Sequence, residues 1–190
     1  MEQIFSSLAE GFDLPVLDWI RENLQCSFLD QTMPVLTRLG DVGIFWIITA
    51  VVMLCFSKTR RTGLAVGFSL LLGLLLCNLT LKPLCARIRP YDYQLENFGV
   101  TVSLLIDRPS EFSFPSGHTI ASFEAATALM LCNKKFGIPA LVLAVLIAFS
   151  RLYLYVHYPS DVIASVILGV GLGALGTYLA EKLPKGKYLR

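Results

Sequence analysis

The chain has 190 residues, of which 55% are hydrophobic and 16% are charged, and its formal net charge is +2. Soluble domains carry about 25% charged residues, so this composition excludes an ordinary water-covered domain and indicates a protein whose solvent is a lipid bilayer. The small net charge also excludes the basic footprint of a nucleic-acid-binding protein, and no nucleic-acid partner is expected.

The N-terminal region is more charged than the segments that follow it. Residues 1–13 lack the basic start and apolar core of a cleavable signal peptide, so membrane insertion is expected to come from internal segments. Within residues 14–36, apolar side chains recur at helical spacing while charged side chains lie off that stripe. This pattern predicts an amphipathic helix that lies on the membrane surface or enters it shallowly.

A helix needs about 17 to 25 mostly apolar residues to cross a bilayer. Five later segments meet or approach this requirement: residues 40–57, 62–81, 117–133, 136–155 and 161–180. We therefore expect an all-α integral membrane protein, a helical bundle of five to six transmembrane helices with an N-terminal amphipathic or re-entrant helix. Residues 1–190 are expected to form a single membrane-embedded domain whose core spans residues 40–180.

Two features inside these segments indicate contacts between helices. Glu124 lies within the third segment, where a carboxyl group requires a polar partner or a position facing the protein interior, and a structural role is favoured for it. The glycine-rich run from Gly169 to Gly176 predicts close packing of the last helix.

Basic residues cluster in three of the links and tails between predicted spans. They lie in residues 58–61, at residues 134–135 and in the tail 182–190. With five spans, all three clusters fall on one side of the membrane, and the excess of lysine and arginine makes that side cytoplasmic. The connections 82–116 and 151–160 are then expected to face outward.

The five cysteines are scattered along the chain: Cys26, Cys55, Cys77, Cys85 and Cys132. They form neither a paired spacing nor a cluster with histidine, so we expect small apolar packing residues rather than a disulfide framework or a structural zinc site. Nothing else in the sequence has metal-ligand spacing. We therefore expect no metal and no cofactor.

Three short motifs fall in the connections that are predicted to face outward. They are Lys82 followed after six residues by Arg89-Pro90, then Pro115-Ser116-Gly117-His118, and finally Ser150-Arg151 followed by His157 and Asp161. The predicted topology brings all three motifs to one membrane face, where their side chains can converge.

The basic and small residues of these motifs suit a phosphate group. Lys82, Arg89 and Arg151 supply three cations, and the two guanidinium groups match phosphate oxygens. Ser116 is suited to cap a helix that begins near Gly117, and such a helix start presents free backbone N–H groups to an anion. The charge and the number of donors fit a tetrahedral, multiply charged group better than a lone carboxylate.

Both histidines of the chain belong to these motifs. Asp161 follows His157 by four residues and can hold one ring nitrogen, which leaves the other free to attack phosphorus. His118, beside the anion-binding helix start, can protonate a departing oxygen. Arg87 has no such assignment and is expected to be solvated or to face lipid headgroups.

On these residues the chain resembles the membrane-bound type-2 phosphatidic acid phosphatase superfamily, which includes bacterial lipid phosphate phosphatases. The family pattern is Lys-x6-Arg-Pro, Pro-Ser-Gly-His and Ser-Arg-x5-His-x3-Asp, and every defining position is present with that spacing. The resemblance covers residues 40–180, and three ordered motifs together make it specific.

The resemblance implies a metal-independent hydrolysis in two steps. His157 would attack phosphorus to give a phosphohistidine while His118 protonates the lipid-side oxygen, and water would then release phosphate. Asp161 would orient His157. The phosphate oxygens would be held by Lys82, Arg89, Ser116, Gly117 and Arg151.

The expected substrate is a membrane lipid that carries a phosphate or diphosphate and is cleaved at the outer face of the cell membrane. Candidates are undecaprenyl diphosphate, phosphatidylglycerophosphate, phosphatidic acid and diacylglycerol diphosphate, of which family analogy and topology favour the first. Two other functions stay open: a transporter that binds phosphate lipids without cleaving them, and a lipid phosphotransferase. The pair of His157 and Asp161 favours catalysis over binding but does not separate hydrolysis from transfer.

Overall fold

A computed structural model of the chain describes residues 2–184, and every regular element in that range is helical. The helices are α1 (Glu2–Leu8), α2 (Leu14–Leu24), α3 (Ser27–Arg38), α4 (Ile44–Cys55), α5 (Arg60–Gly73), α6 (Lys82–Cys85), α7 (Pro90–Phe98), α8 (Gly117–Cys132), α9 (Lys134–Tyr153) and α10 (Pro159–Lys182). Wider π-helical turns occupy Ala9–Asp13 and Leu74–Leu81, and a 3-10 turn occupies Asp41–Gly43. The prediction of an all-α fold is confirmed.

Helix α8 lies at the centre of the bundle and packs against α5, α9 and α10, while α4 packs on α5. Its buried face carries small side chains such as Ala125, Ala126 and Ala128, which let neighbouring helices approach closely. The predicted close packing of α10 is present, because a Cβ on Gly173 would lie 2.5 Å from the Glu124 carbonyl oxygen of α8. Gly171, on the same helix, faces open space instead.

Among the described residues, three helical runs are long and apolar enough to cross a membrane: Arg60–Phe98, Lys134–Tyr153 and Pro159–Lys182. A fourth crossing arises if the pair Ser27–Arg38 and Asp41–Cys55, bent by 43° at its break, counts as one span. The predicted span over residues 117–133 forms the 16-residue helix α8. A total of five to six spans therefore stays a prediction.

Residues 14–36, predicted as one helix, form α2 and most of α3, separated by a break at residues 25–26. The apolar stripe of α2 is buried, with Leu14, Leu17 and Ile20 packed in one cluster with the turn at residues 153–158. The N-terminal region thus covers the turn that carries His157. Whether it lies on the membrane surface stays a prediction.

One end of the bundle gathers the basic links. The Arg61 guanidinium donates hydrogen bonds to the carbonyl oxygens of Glu181 and Leu183, which places the link at residues 58–61 beside the end of α10. Part of the predicted basic tail, at Lys185, Lys187 and Arg190, lies outside the described residues.

Candidate active site

Two prolines begin the helices that follow the predicted site residues Arg89 and His157. Pro90 and Pro159 occupy the first turns of α7 and α10, where a missing N–H costs nothing and the fixed φ suits a helix. The residues before them, Arg89 and Tyr158, are extended, as the residue before a proline prefers. Arg89 and His157 therefore lie where the chain turns into a helix.

A groove of about 1410 Å³ joins residues from all three motifs. Six of the eight predicted site residues line it: Lys82, Arg89, Gly117, His118, Arg151 and His157. The groove continues between α4 and α5, where apolar residues such as Ala50, Leu54 and Leu70 form its walls. One continuous space therefore has a basic, histidine-bearing end and an apolar end.

His157 is almost fully buried and its two ring nitrogens face different groups. Nε2 lies 3.2 Å from Arg89 Nη1, whereas Nδ1 lies 3.7 Å from Asp161 Oδ2 and 3.5 Å from Ser113 Oγ. Burial, together with the positive charges of Arg89 and Arg151, holds the pKa of His157 well below its usual value. The ring is therefore neutral at physiological pH, which a nucleophile requires.

Arg89 and Arg151 are buried, and only part of their donor capacity is used by the protein. Arg89 donates to the carbonyl oxygens of Glu111 and Val156, each at 2.7 Å. Arg151 Nη1 donates to Thr37 Oγ1 at 2.6 Å, but the buried Nε has no hydrogen-bond partner within residues 2–184. A buried donor without a partner is costly, so an anion that reaches Arg151 Nε relieves that cost.

Lys82 already has a carboxylate partner in this structure. Its ammonium group pairs with Glu111 Oε2, and the Glu111 side chain is 69% exposed. The hydrogen bond from Lys82 and the lysine charge hold the pKa of Glu111 below its ordinary range. Glu111 therefore stays ionised and pairs with the lysine that was predicted to bind phosphate.

Replacing Glu111 with glutamine is expected to lower the KM for a lipid phosphate by about 1.5- to 5-fold, because the exposed Glu111 carboxylate, which forms an ion pair of modest strength, no longer competes for Lys82. We expect kcat to change little. The measurement is phosphate release in mixed micelles over a range of substrate mole fractions. Glu96→Gln, at an exposed acid on α7, is the control, and a raised KM in Glu111→Gln would contradict the competition.

Ser116 is the N-cap residue of α8, as predicted, but its hydroxyl makes no capping hydrogen bond. The hydroxyl accepts from Thr119 Oγ1 at 3.0 Å, and the Ser116 N–H donates to Ser165 Oγ at 2.8 Å. Ser116 is fully buried and lies behind the groove wall. Gly117 lines the groove next to Asn78, whose side-chain oxygen would lie 3.2 Å from a Cβ at position 117.

His118 lies at the groove with a carboxylate partner that the motifs did not include. Its Nε2 lies 2.8 Å from Asp41 Oδ1, at the turn between α3 and α4. A Cβ on Gly40 would lie 2.6 Å from His118 Cδ2, so glycine makes room for the ring there. Because Nε2 faces Asp41, Nδ1 is the nitrogen available to a leaving group.

We expect Asp41→Asn to lower kcat by about 3- to 10-fold, because a partly exposed carboxylate stabilises the protonated ring that acts as the acid. Turnover at saturating lipid is the measurement. Asp92→Asn is the matched control, since Asp92 pairs only loosely with Arg108, at 3.9 Å, and does not line the groove. An unchanged kcat in Asp41→Asn would remove Asp41 from the site.

The expectation that Arg87 is solvated or faces headgroups is wrong. Arg87 is 4% exposed and donates to Asp161 Oδ1 at 2.5 Å and to Asp13 Oδ2 at 2.7 Å. Ser113 was also missed; its hydroxyl donates to Asp161 Oδ2 at 2.5 Å. Neither residue has a local sequence signal, because their partners are distant in the chain.

Glu124 lies on the groove wall, deeper in the bundle than His118 on the same helix. It is 1% exposed, and its Oε2 has no hydrogen-bond partner in the part of the chain that the structure describes. Gly73 on α5 leaves the space that the carboxyl group fills, since a Cβ there would lie 2.5 Å from Glu124 Oε1. Within residues 2–184 no group of three or more histidine, cysteine or acidic side chains could hold a metal ion.

The helical bundle and its basic, histidine-bearing groove are those of a membrane phosphatase, and comparison with known proteins agrees. Residues 62–185 match the PAP2 superfamily. An undecaprenyl-diphosphatase of Sulfolobus acidocaldarius is 32% identical over 175 residues, covering 92% of this chain and 81% of that protein. The chain therefore belongs to the PAP2 superfamily and is a lipid phosphate phosphatase.

Two solved structures share the fold. The crystal structure of Aquifex aeolicus LpxE superimposes with a TM-score of 0.73 at 25% identity, covering 87% of this chain and 94% of that one. The PAP2-type phosphatidylglycerolphosphate phosphatase of Bacillus subtilis gives a TM-score of 0.68 at 27% identity, covering 97% and 96%. This chain is thus similar over most of its length both to an undecaprenyl-diphosphatase and to a phosphatidylglycerolphosphate phosphatase, which are named for different lipids.

Proposed function

We propose that the chain hydrolyses the phosphate or diphosphate of a membrane lipid through a phosphohistidine on His157, without a metal ion. The observation that carries the proposal is the single groove in which two histidines and three cations lie at one end of an apolar cleft. A phosphate lipid has the same two-part character. Its charged group matches the basic end, and its hydrocarbon chain matches the walls of α4 and α5.

In the first step, Nε2 of the neutral His157 attacks phosphorus and the bond from phosphorus to the lipid-side oxygen breaks. Nδ1 of a protonated His118 gives its proton to that oxygen, so the lipid departs as a neutral alcohol, or as a monophosphate when the substrate is a diphosphate. Arg89 lies 3.2 Å from the attacking nitrogen, close enough to hold a phosphoryl oxygen beside it.

In the second step, water attacks phosphorus and the bond between phosphorus and nitrogen breaks. His118, now neutral, accepts the proton of the water, and His157 returns to its starting form. Asp161 balances the charge of the phosphorylated ring from the Nδ1 side. Lys82 and Arg151 contribute cations to the phosphoryl oxygens, and Gly117 lets the backbone approach them.

Undecaprenyl diphosphate is the substrate that we favour. The similar protein from Sulfolobus acidocaldarius is named undecaprenyl-diphosphatase, and one from Bacillus subtilis, 29% identical over 149 residues, bears the same name with the addition BcrC. We place the site at the extracytoplasmic face of a multi-pass protein. The basic link at residues 58–61 and the end of α10, which Arg61 joins, support this orientation through the excess of positive charge on the cytoplasmic side.

Phosphate release by the purified protein tests the proposal, measured with EDTA present over undecaprenyl diphosphate, phosphatidylglycerophosphate, phosphatidic acid and diacylglycerol diphosphate. We expect release from at least one lipid, with undecaprenyl diphosphate the best. Running the reaction in 18O-labelled water identifies the acceptor, because hydrolysis places one labelled oxygen in the phosphate. Phosphorylation of an added alcohol without release of inorganic phosphate would indicate a phosphotransferase, and lipid binding without cleavage would indicate a transporter.

A further inference from the structure

Arg87 connects the candidate catalytic carboxylate to the N-terminal region. Its Nη1 donates to Asp161 Oδ1 at 2.5 Å and to Ser160 Oγ at 2.8 Å, and its Nη2 donates to Asp13 Oδ2 at 2.7 Å. Asp13 and Asp161 are both 0% exposed. One planar guanidinium group therefore joins two buried carboxylates that lie 148 positions apart by their numbers (161 − 13).

Asp13 is also fixed from the α10 side. Its Oδ1 accepts from the Ser160 backbone N–H at 2.8 Å, and its Oδ2 accepts from Ser160 Oγ at 2.7 Å. Arg87, Asp13 and Ser160 form a closed ring of hydrogen bonds at the start of α10, and Asp161 is attached to it through Arg87. These four residues are called the Arg87 cluster. Asp13 lies outside residues 62–185, which match the superfamily.

Aromatic rings fix the plane of the Arg87 side chain. The guanidinium carbon lies 3.7 Å from the centroid of the Tyr158 ring and 4.8 Å from that of Phe5. Phe5 belongs to α1, so the N-terminal region supplies both a ring and a carboxylate. A lysine reproduces neither the planar contact nor the two-sided hydrogen bonding.

The charges of the Arg87 cluster bear on His157. Arg87 pairs with both Asp161 and Asp13, so Asp13 offsets part of the positive charge that Arg87 places beside Asp161. Replacing Asp13 with a neutral residue therefore weakens the effect of the Asp161 negative charge on His157 Nδ1, 3.7 Å away. His157 gains positive character as it takes up the phosphoryl group, so it requires that charge.

We propose that Arg87 and Asp13 are positioning residues for Asp161, and that the N-terminal region is thereby part of the machinery that phosphorylates His157. Arg87 holds Asp161 Oδ1 while Ser113 and the Tyr158 N–H hold Oδ2. The carboxylate is thus fixed on both oxygens, 3.7 Å from the ring nitrogen. This inference rests on the proposed function, in which His157 is the nucleophile.

The test compares Arg87→Gln, Arg87→Lys and Asp13→Asn in the full-length protein, with thermal unfolding recorded for each. We expect kcat and the rate of phosphoenzyme formation to fall by about 10- to 100-fold, while KM stays within about threefold of wild type. The reason is that the Arg87 cluster acts on the transition state and does not touch the lipid. Arg87→Lys should not restore activity. Arg108→Gln, at a side chain 52% exposed, is the control and should behave as wild type.

Two outcomes overturn the inference while leaving the proposed function intact. The first is that His157→Ala has no activity while Arg87→Gln folds and keeps the kcat of wild type. The second is that Arg87→Gln loses activity only through a raised KM, with kcat unchanged. If Arg87→Gln does not fold, Asp13→Asn decides, since the amide keeps the shape of the carboxylate while it removes the charge and replaces one acceptor oxygen with a donor. A His157→Ala variant that retains activity would instead remove the proposed function.

Discussion

Replacing His157 with alanine is expected to lower phosphate release by at least about 10³-fold, because the substitution removes the atom that forms the bond to phosphorus. The buried neutral ring, 3.2 Å from Arg89, has no substitute nearby, since His118 faces Asp41. The measurement uses a lipid labelled in its phosphate, rapid quenching without acid, and alkaline gel electrophoresis. A labelled phosphoenzyme should appear in wild type and not in His157→Ala.

His118→Ala is the matched variant for this experiment. With a lipid substrate, its rate of phosphate release should fall by about 10²- to 10⁴-fold, since the departing oxygen then leaves without a proton. With p-nitrophenyl phosphate, whose leaving group needs no proton, the first step should survive while attack by water is slowed, so the phosphoenzyme accumulates. A phosphoenzyme in His157→Ala, or none in His118→Ala with this substrate, would contradict the assignment of the two histidines.

Gly176→Ala is expected to destabilise the protein by about 1 to 3 kcal/mol, the usual cost of adding an atom to a closely packed interface. A Cβ at this position would lie 2.6 Å from the backbone nitrogen of Ser69 on α5, and backbone cannot move aside as a flexible side chain can. The two helices must therefore separate. The thermal unfolding midpoint in detergent is the measurement.

Gly171→Ala on the same helix is the control for this prediction, because nothing lies within 4 Å of a Cβ there. In that position alanine lacks the flexibility cost of glycine in a helix and should stabilise by about 0.5 to 1 kcal/mol. The two variants should move the midpoint in opposite directions. Equal shifts would show that α10 does not pack against α5 as described.

The sequence predicted the groove residues because their signal is local. Each motif places its chemistry next to a proline or a helix start, as at Arg89-Pro90 and at Ser116-Gly117, and such positions can be recognised without knowing the fold. Topology alone was then enough to bring the motifs together. The roles of these residues in catalysis stay predictions.

The residues that were missed find their partners only through tertiary structure. Arg87 meets Asp161 from 74 positions away, and His118 meets Asp41 from 77 positions away. Asp13 precedes the amphipathic segment and Asp41 lies at the start of the first predicted span, and nothing in the sequence around either acid indicates its partner. Asp13 is buried because the N-terminal helices pack against the turn that precedes α10, and Asp41 meets His118 because the turn between α3 and α4 reaches the start of α8. Periodicity reveals neither contact.

The break near Cys26 was missed for a related reason. Residues 14–36 keep an apolar stripe throughout, and neither glycine nor proline marks the interruption at residues 25–26. At this break the chain contacts Tyr153 of α9. The Tyr153 hydroxyl donates to Asp30 Oδ1 at 2.7 Å and accepts from the Cys26 backbone N–H at 3.4 Å. A tertiary contact therefore decides where one helix ends and the next begins.

The two-ended groove also bears on the direction of the reaction. Under the proposed function, phosphate is freed at the basic end and can pass into water, whereas the lipid product lies along the apolar walls of α4 and α5. The two products then separate into different phases. Reversal requires them to meet again from a dilute aqueous pool and a two-dimensional one, so partitioning slows the reverse reaction.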